Sequence, residues 1–106
     1  RQFMVRYWVP GDSNQPDLSQ VRDISLGGIC FTTYRAFDRG TKLALKIRLP
    51  GAEIMPNGRV LESKPLGNSL AFCNTRIEFA DMQEADKQAL FGVLSSYLKG
   101  GKVVLS

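Results

Sequence analysis

Between Thr41 and Leu49 the chain alternates residue by residue, with Leu43, Leu45, Ile47 and Leu49 set against Ala44, Lys46 and Arg48. A period of two places one set on each face of an extended backbone, so this segment reads as a half-buried β-strand. Leu70 to Phe79 alternates in the same way, with Phe72, Ile77 and Phe79 as core candidates. From Met82 the period changes: Ala85, Ala89, Leu90, Val93, Leu94, Tyr97 and Leu98 recur at three and four, the spacing of an amphipathic helix. Asp81 followed by Glu84 offers a start resembling a capping box, and Gly100-Gly101 offers a stop. The polar face of Gln83, Asp86, Lys87 and Ser95 is expected to be solvated, and the apolar face to cover an open end or side of the sheet.

The remaining segments extend the β pattern. Residues 2 to 9 are β-branched and aromatic and are closed by Pro10-Gly11, and residues 10 to 17 form a polar exposed loop. Leu18 to Ser25 and Gly28 to Tyr34 read as two strands joined through glycines, and Gly40 closes the turn that follows. Pro50-Gly51 stops the Thr41–Leu49 strand. Further strand material, Ala52 to Met55 and Gly58 to Ser63, lies around a bend at Pro56-Asn57-Gly58. Lys64 to Ser69 is another turn, and Lys102 to Ser106 is either a trailing strand or a frayed tail. Five or six antiparallel strands followed by one helix predict a small all-β barrel or sandwich with a helical cap.

At 106 residues the whole chain, 1–106, is expected to be one domain with one core, needing neither metal nor disulfide staples. It begins without Met or a signal-like apolar segment, as a fragment of a longer chain would. No apolar run is long enough to span a bilayer, so membrane insertion is not expected. Histidine is absent, which removes the commonest general base and zinc ligand. The carboxylates Glu53, Glu62, Glu78 and Asp81 are dispersed over strands and turns, and no nucleophile and base pair up. Catalytic residues, metal sites and cofactors are therefore not expected. Cys30 and Cys73 sit inside apolar strand-like runs and read as small buried hydrophobes, both reduced. The net charge of +4 is carried by scattered Lys and Arg, which suits a small anionic ligand better than a nucleic acid.

One stretch stands out, Val21-Arg22-Asp23-Ile24-Ser25-Leu26-Gly27-Gly28-Ile29-Cys30-Phe31. Asp23 and Ser25 are two apart and share a strand face, with Ile24 on the other. Gly27 and Gly28 permit positive φ and leave the backbone bare, so a ligand can approach closely. Arg22 lies beside this ledge. The plainer alternative is a turn that Asp23 and Ser25 merely fasten.

Asp23-x-Ser25-x-x-Gly28 in this setting resembles the signature of PilZ domains, as does the order of Gly-Arg-Val and Ile-Glu-Phe strands before a helix. That resemblance covers nearly the whole chain. It implies a six-stranded antiparallel split barrel capped by a carboxy-terminal helix, and a bacterial, cytoplasmic receptor for cyclic di-GMP linked to motility or exopolysaccharide regulation. In the family the aspartate and serine recognise guanine while the glycine leaves room. An R-x-x-x-R segment before the first strand pairs with phosphates and stacks on bases.

Here the second element departs from the pattern. Arg1 and Arg6 are five apart, Gln2 stands where a partner for Arg6 would be, and Arg6 falls within the first strand. Either the rest of the motif lies upstream and Arg1 is its last arginine, or the motif is degenerate, or the domain does not bind the nucleotide. Arg76 also stands where the family often has glycine. The expected ligand-binding set is Asp23, Ser25, Gly28, Gly27, Arg22 and Arg1. The expected output is a changed contact with a protein partner or neighbouring domain. The alternative is a PilZ-like protein adaptor that does not bind the nucleotide.

Overall fold

The computed structural model describes residues 3–12, 15–68, 71–97 and 102–104. In chain order the elements are β1 (Met4–Trp8), β2 (Asp17–Ser25), β3 (Gly28–Thr33), β4 (Lys42–Leu49), β5 (Ala52–Ile54), β6 (Asn57–Pro65), β7 (Cys73–Asp81), α1 (Glu84–Tyr97) and β8 (Lys102–Val104). The strands pair in the order β1-β2-β3-β7-β6-β4, and β4 pairs again with β1 through Arg6↔Lys46 and its neighbours. Every pairing is antiparallel, so six strands close into a barrel. β5 folds back on β4, and β8 lies along β2 outside the ring.

The barrel forms because the apolar set of each strand has somewhere dry to go. Leu43, Leu45, Ile47 and Leu49 are all at 2% exposure or less, while Lys42 before them and Arg48 among them face water. Val5, Tyr7, Ile24, Ile29, Phe31, Val60 and Ile77 fill the same interior. Each fully buried aliphatic or aromatic side chain contributes roughly 1.5–3 kcal/mol, so this lining is the main term holding the fold.

Two hydroxyl residues share the interior without penalty. Thr33 Oγ1 donates to the Arg35 carbonyl at 2.7 Å and meets Thr75 Oγ1 at 2.8 Å, which in turn meets Ser63 Oγ at 2.7 Å.

Strand β7 begins later than its apolar content implies. β7 starts at Cys73, with Cys73, Thr75 and Ile77 turned inward, so position 72 falls outside the pleat. Phe72 is accordingly exposed at 42%, and Phe79 is half-buried against the core. Phe72 has the opposite parity from Ile77 and Phe79, and a regular strand cannot bury all three.

Helix α1 begins at Glu84, with the Gln83 carbonyl accepting from Lys87 N at 3.0 Å. The expected capping box does not form. Asp81 is instead the last residue of β7, paired with Asn57. Leu90 and Leu94 are buried in the barrel core, with Ala89 and Val93 packed against it. Asp86, expected on a solvated face, accepts a hydrogen bond from Met55 N at 2.9 Å and ties the helix to the end of β5. Leu98, Gly100 and Gly101 lie outside the described residues. No helix among the described residues is long and apolar enough to cross a membrane.

Candidate ligand-binding site

The ledge is built by an irregularity in β2. Val21 opposes Phe31 and Asp23 opposes Cys30, so Arg22 is one residue more than β3 can match. Such a bulge lets two successive residues face outward together. Val21 and Ile24, three apart, thereby both reach the core at 2% and 0% exposure. Arg22, Asp23 and Ser25 are left half-buried on the outer face. On the edge of β2 away from β3, β8 takes over from β1. Gln20 opposes Met4, whereas Asp23, Ile24 and Ser25 oppose Val104, Val103 and Lys102.

The turn after Ser25 is fastened from both sides. Ser25 Oγ accepts from Gly27 N at 3.3 Å, and the Gly27 carbonyl accepts from Phe79 N at 2.9 Å. Positive φ is not the reason for the glycines. Among the described residues the left-handed glycines are Gly11, Gly40, Gly51 and Gly67, and neither Gly27 nor Gly28 is one of them. Gly28 is required because a Cβ there would overlap the Ile77 carbonyl oxygen of β7, so the space it leaves is taken by the protein's own backbone. At Gly27 a Cβ would meet open space.

Across the outer face, Asp23, Cys30 and Arg76 oppose one another in a row over β2, β3 and β7. The Cys30 thiol donates to Asn74 Oδ1 at 3.1 Å. Burial pushes that thiol above its ordinary pKa and the Asp23 carboxylate adds to the rise, while Arg76, the Asn74 hydrogen bond and Arg22 oppose it. The result is a neutral thiol under a charged row, unsuited to nucleophilic work. In the next row Glu78 is paired with Arg59 at 2.8 Å. Arg22 and Arg76 make no ion pair among the described residues, which leaves two guanidinium groups beside the Asp23 row.

Of the six residues expected from sequence, Asp23, Ser25, Gly27, Gly28 and Arg22 are brought together, and Arg1 lies outside the described residues. Cys30, Asn74 and Arg76 join this row without belonging to the set expected from sequence. The alternation of β7 does place 74, 76 and 78 on one face. Which strand that face adjoins is set by topology alone. Behind the turn, a cavity of about 560 Å³ opens between it and the helix, lined by Leu26, Phe79, Met82, Lys87 and Phe91 among others.

The site is thus an outward Asp-x-Ser ledge on a closed six-stranded barrel with a helical cap. The family model for the PilZ domain matches residues 3–96, and the chain belongs to that family, whose members are generally receptors for cyclic di-GMP. Among solved structures the chain is similar to the Bacillus subtilis inhibitor of motility, MotI/DgrA, with a TM-score of 0.68 and 24% identity. That match covers 91% of this chain and 45% of the other, so this chain spans less than half the length of that protein. No curated protein matches.

Proposed function

We propose that this domain is a receptor module for cyclic di-GMP that works by changing protein contacts and not by catalysis. The observation that carries the reading is that Asp23 and Ser25 stand side by side on the outer face, with Arg22 and Arg76 within the same strip. A carboxylate and a hydroxyl suit the N–H edge of guanine, and guanidinium groups suit phosphate oxygens and the purine face. Arg22 and Arg76 take the role that the incomplete R-x-x-x-R segment leaves open. A ligand seated there lies against β2 where β8 joins it, so its arrival alters what a partner or neighbouring domain meets. A bacterial cytoplasm is the setting in which this ligand occurs.

One observation favours a second reading, a protein adaptor that does not bind the nucleotide. Ser25 is engaged by Gly27 N and Gly28 is demanded by Ile77, so these signature residues already serve the fold. Calorimetric titration with cyclic di-GMP separates the two. The receptor reading expects saturable heat that Asp23→Ala diminishes about tenfold in affinity or more, in keeping with loss of a charged hydrogen bond. Absence of heat with the unaltered chain, or equal affinity in Asp23→Ala, leaves the adaptor.

A further inference from the structure

The face of β1 that points away from the core carries a patch that the ledge does not use. On β1, Met4 and Arg6 stand outward, flanked on β4 by Arg48 and Lys46 and on β2 by Gln20 and Leu18. Arg6 and Arg48 are exposed and form no ion pair among the described residues. Lys46 shares the patch with Glu53 at 3.8 Å. Three cations therefore face one carboxylate.

The patch is also apolar at its centre. Two recesses, of about 280 and 420 Å³, lie on either side of Met4 and Leu18 and share both side chains as walls. Arg6, Lys46 and Arg48 line the first, and Arg22, Thr32, Tyr34 and Phe72 help to line the second. Leu18, Tyr34 and Phe72 are 43%, 50% and 42% exposed, unusually high for side chains gathered in one place. They are held in position: the Tyr34 and Phe72 rings meet edge-on at 5.6 Å, and Tyr34 Oη donates to the Leu18 carbonyl at 3.1 Å.

We infer that this outer face of β1, β2 and β4 is a docking surface for an acidic protein segment carrying apolar side chains. Charge complementarity selects the sign: the rim is Arg6, Lys46 and Arg48, and an acidic chain brings the missing counter-ions. An apolar and aromatic centre edged by arginine is the make-up of protein interfaces, where such residues supply the binding energy. A nucleic-acid backbone needs an unbroken basic track and gains nothing from Leu18 and Met4, and Glu53 repels it. A bilayer surface needs apolar side chains that protrude, whereas these wall recesses. The inference stands whether or not the ledge binds a nucleotide.

The test is an NMR titration of the whole chain with a synthetic helical peptide bearing Leu at i, i+3 and i+7 and Glu elsewhere on its surface. The expected result is saturable shifts at Met4, Arg6, Leu18, Lys46 and Arg48, with affinity that falls as salt rises. Arg6→Glu with Arg48→Glu, and separately Leu18→Ser, should each weaken binding about tenfold, while thermal melting shows both variants folded. All are surface positions, so folding is retained. The inference is overturned by equal binding of a Lys-for-Glu peptide, by absence of binding, or by shifts confined to other faces. It is also overturned if phosphatidylglycerol vesicles or a single-stranded oligonucleotide bind this face and the peptide does not.

Discussion

The carbonyl oxygen of Ile77 occupies the place where a side chain on Gly28 would begin. The signature glycine is therefore first a packing residue, the point at which the β2–β3 turn is pressed onto β7. Any Cβ must push the strands apart and strain the Phe79 N to Gly27 carbonyl hydrogen bond of 2.9 Å. Gly28→Ala should lower stability by about 3 kcal/mol in urea unfolding, the range of an overpacked core. Gly27→Ala, with open space around it, should stay within about 0.5 kcal/mol as surface changes do.

The hydroxyl chain inside the barrel makes a second prediction. Thr75 meets both Thr33 and Ser63, at 2.8 and 2.7 Å. Thr75→Val keeps the shape but strips both neighbours of a partner, and buried polar groups left short of hydrogen bonds cost about 1–3 kcal/mol. Chemical denaturation should show that loss with an unchanged slope. No loss would mean that the hydroxyls are indifferent to one another.

Arg76 is the residue by which the site reading departs from a plain turn. If its guanidinium pairs with a phosphate, Arg76→Ala should weaken cyclic di-GMP about tenfold and flatten the salt dependence of binding. Circular dichroism should be unaltered, because the side chain is exposed and makes no ion pair among the described residues. Undiminished affinity would return the position to ordinary surface charge.

Tyr7 gives a pH signature. Burial lifts its phenol from 10.0 to about 12, against the lowering effect of its hydrogen bond from Tyr34 N. The folded state thus keeps a proton that the unfolded chain releases first. Stability from this group is complete below pH 10 and is lost as pH climbs from there towards 12. Melting temperatures measured across that window should fall less steeply in Tyr7→Phe than in the unaltered chain.

Cys30 and Cys73 are both free and both buried. With its thiol neutral and bonded to Asn74, Cys30 should resist alkylating reagents in the native state at mildly alkaline pH. Labelling followed by mass spectrometry should track global unfolding. Rapid native labelling of either thiol would show that its strand opens locally.

The inner faces of the strands were largely legible because burial writes itself as alternation, as Leu43 to Leu49 shows. The pair Asp23 and Ser25 was legible for the same reason: a spacing of two means a shared face. Three things were not. Val21 and Ile24 violate that spacing and both lie inside, which needs a bulge that only pairing with β3 reveals. The role of Gly28 depends on Ile77, 49 positions along the chain, and a local reading sees only a flexible turn. The row from Asp23 to Arg76 exists because β3 has β7 as its neighbour, a matter of closure and not of composition. The start of α1 was displaced for a similar reason, since Asp81 was claimed by β6 before it could cap anything.

Arg22 is a supernumerary residue: its neighbours keep their partners on β3 whether it is there or not. Shortening the strand by that one position would restore plain alternation and leave Val21, Asp23, Ile24 and Ser25 turned as they are now. Charge at the rim of the ledge can thus be exchanged, reversed or deleted with little consequence for the barrel. If the ledge takes an anion, its affinity is adjustable at a position that lies outside the β3 pairing.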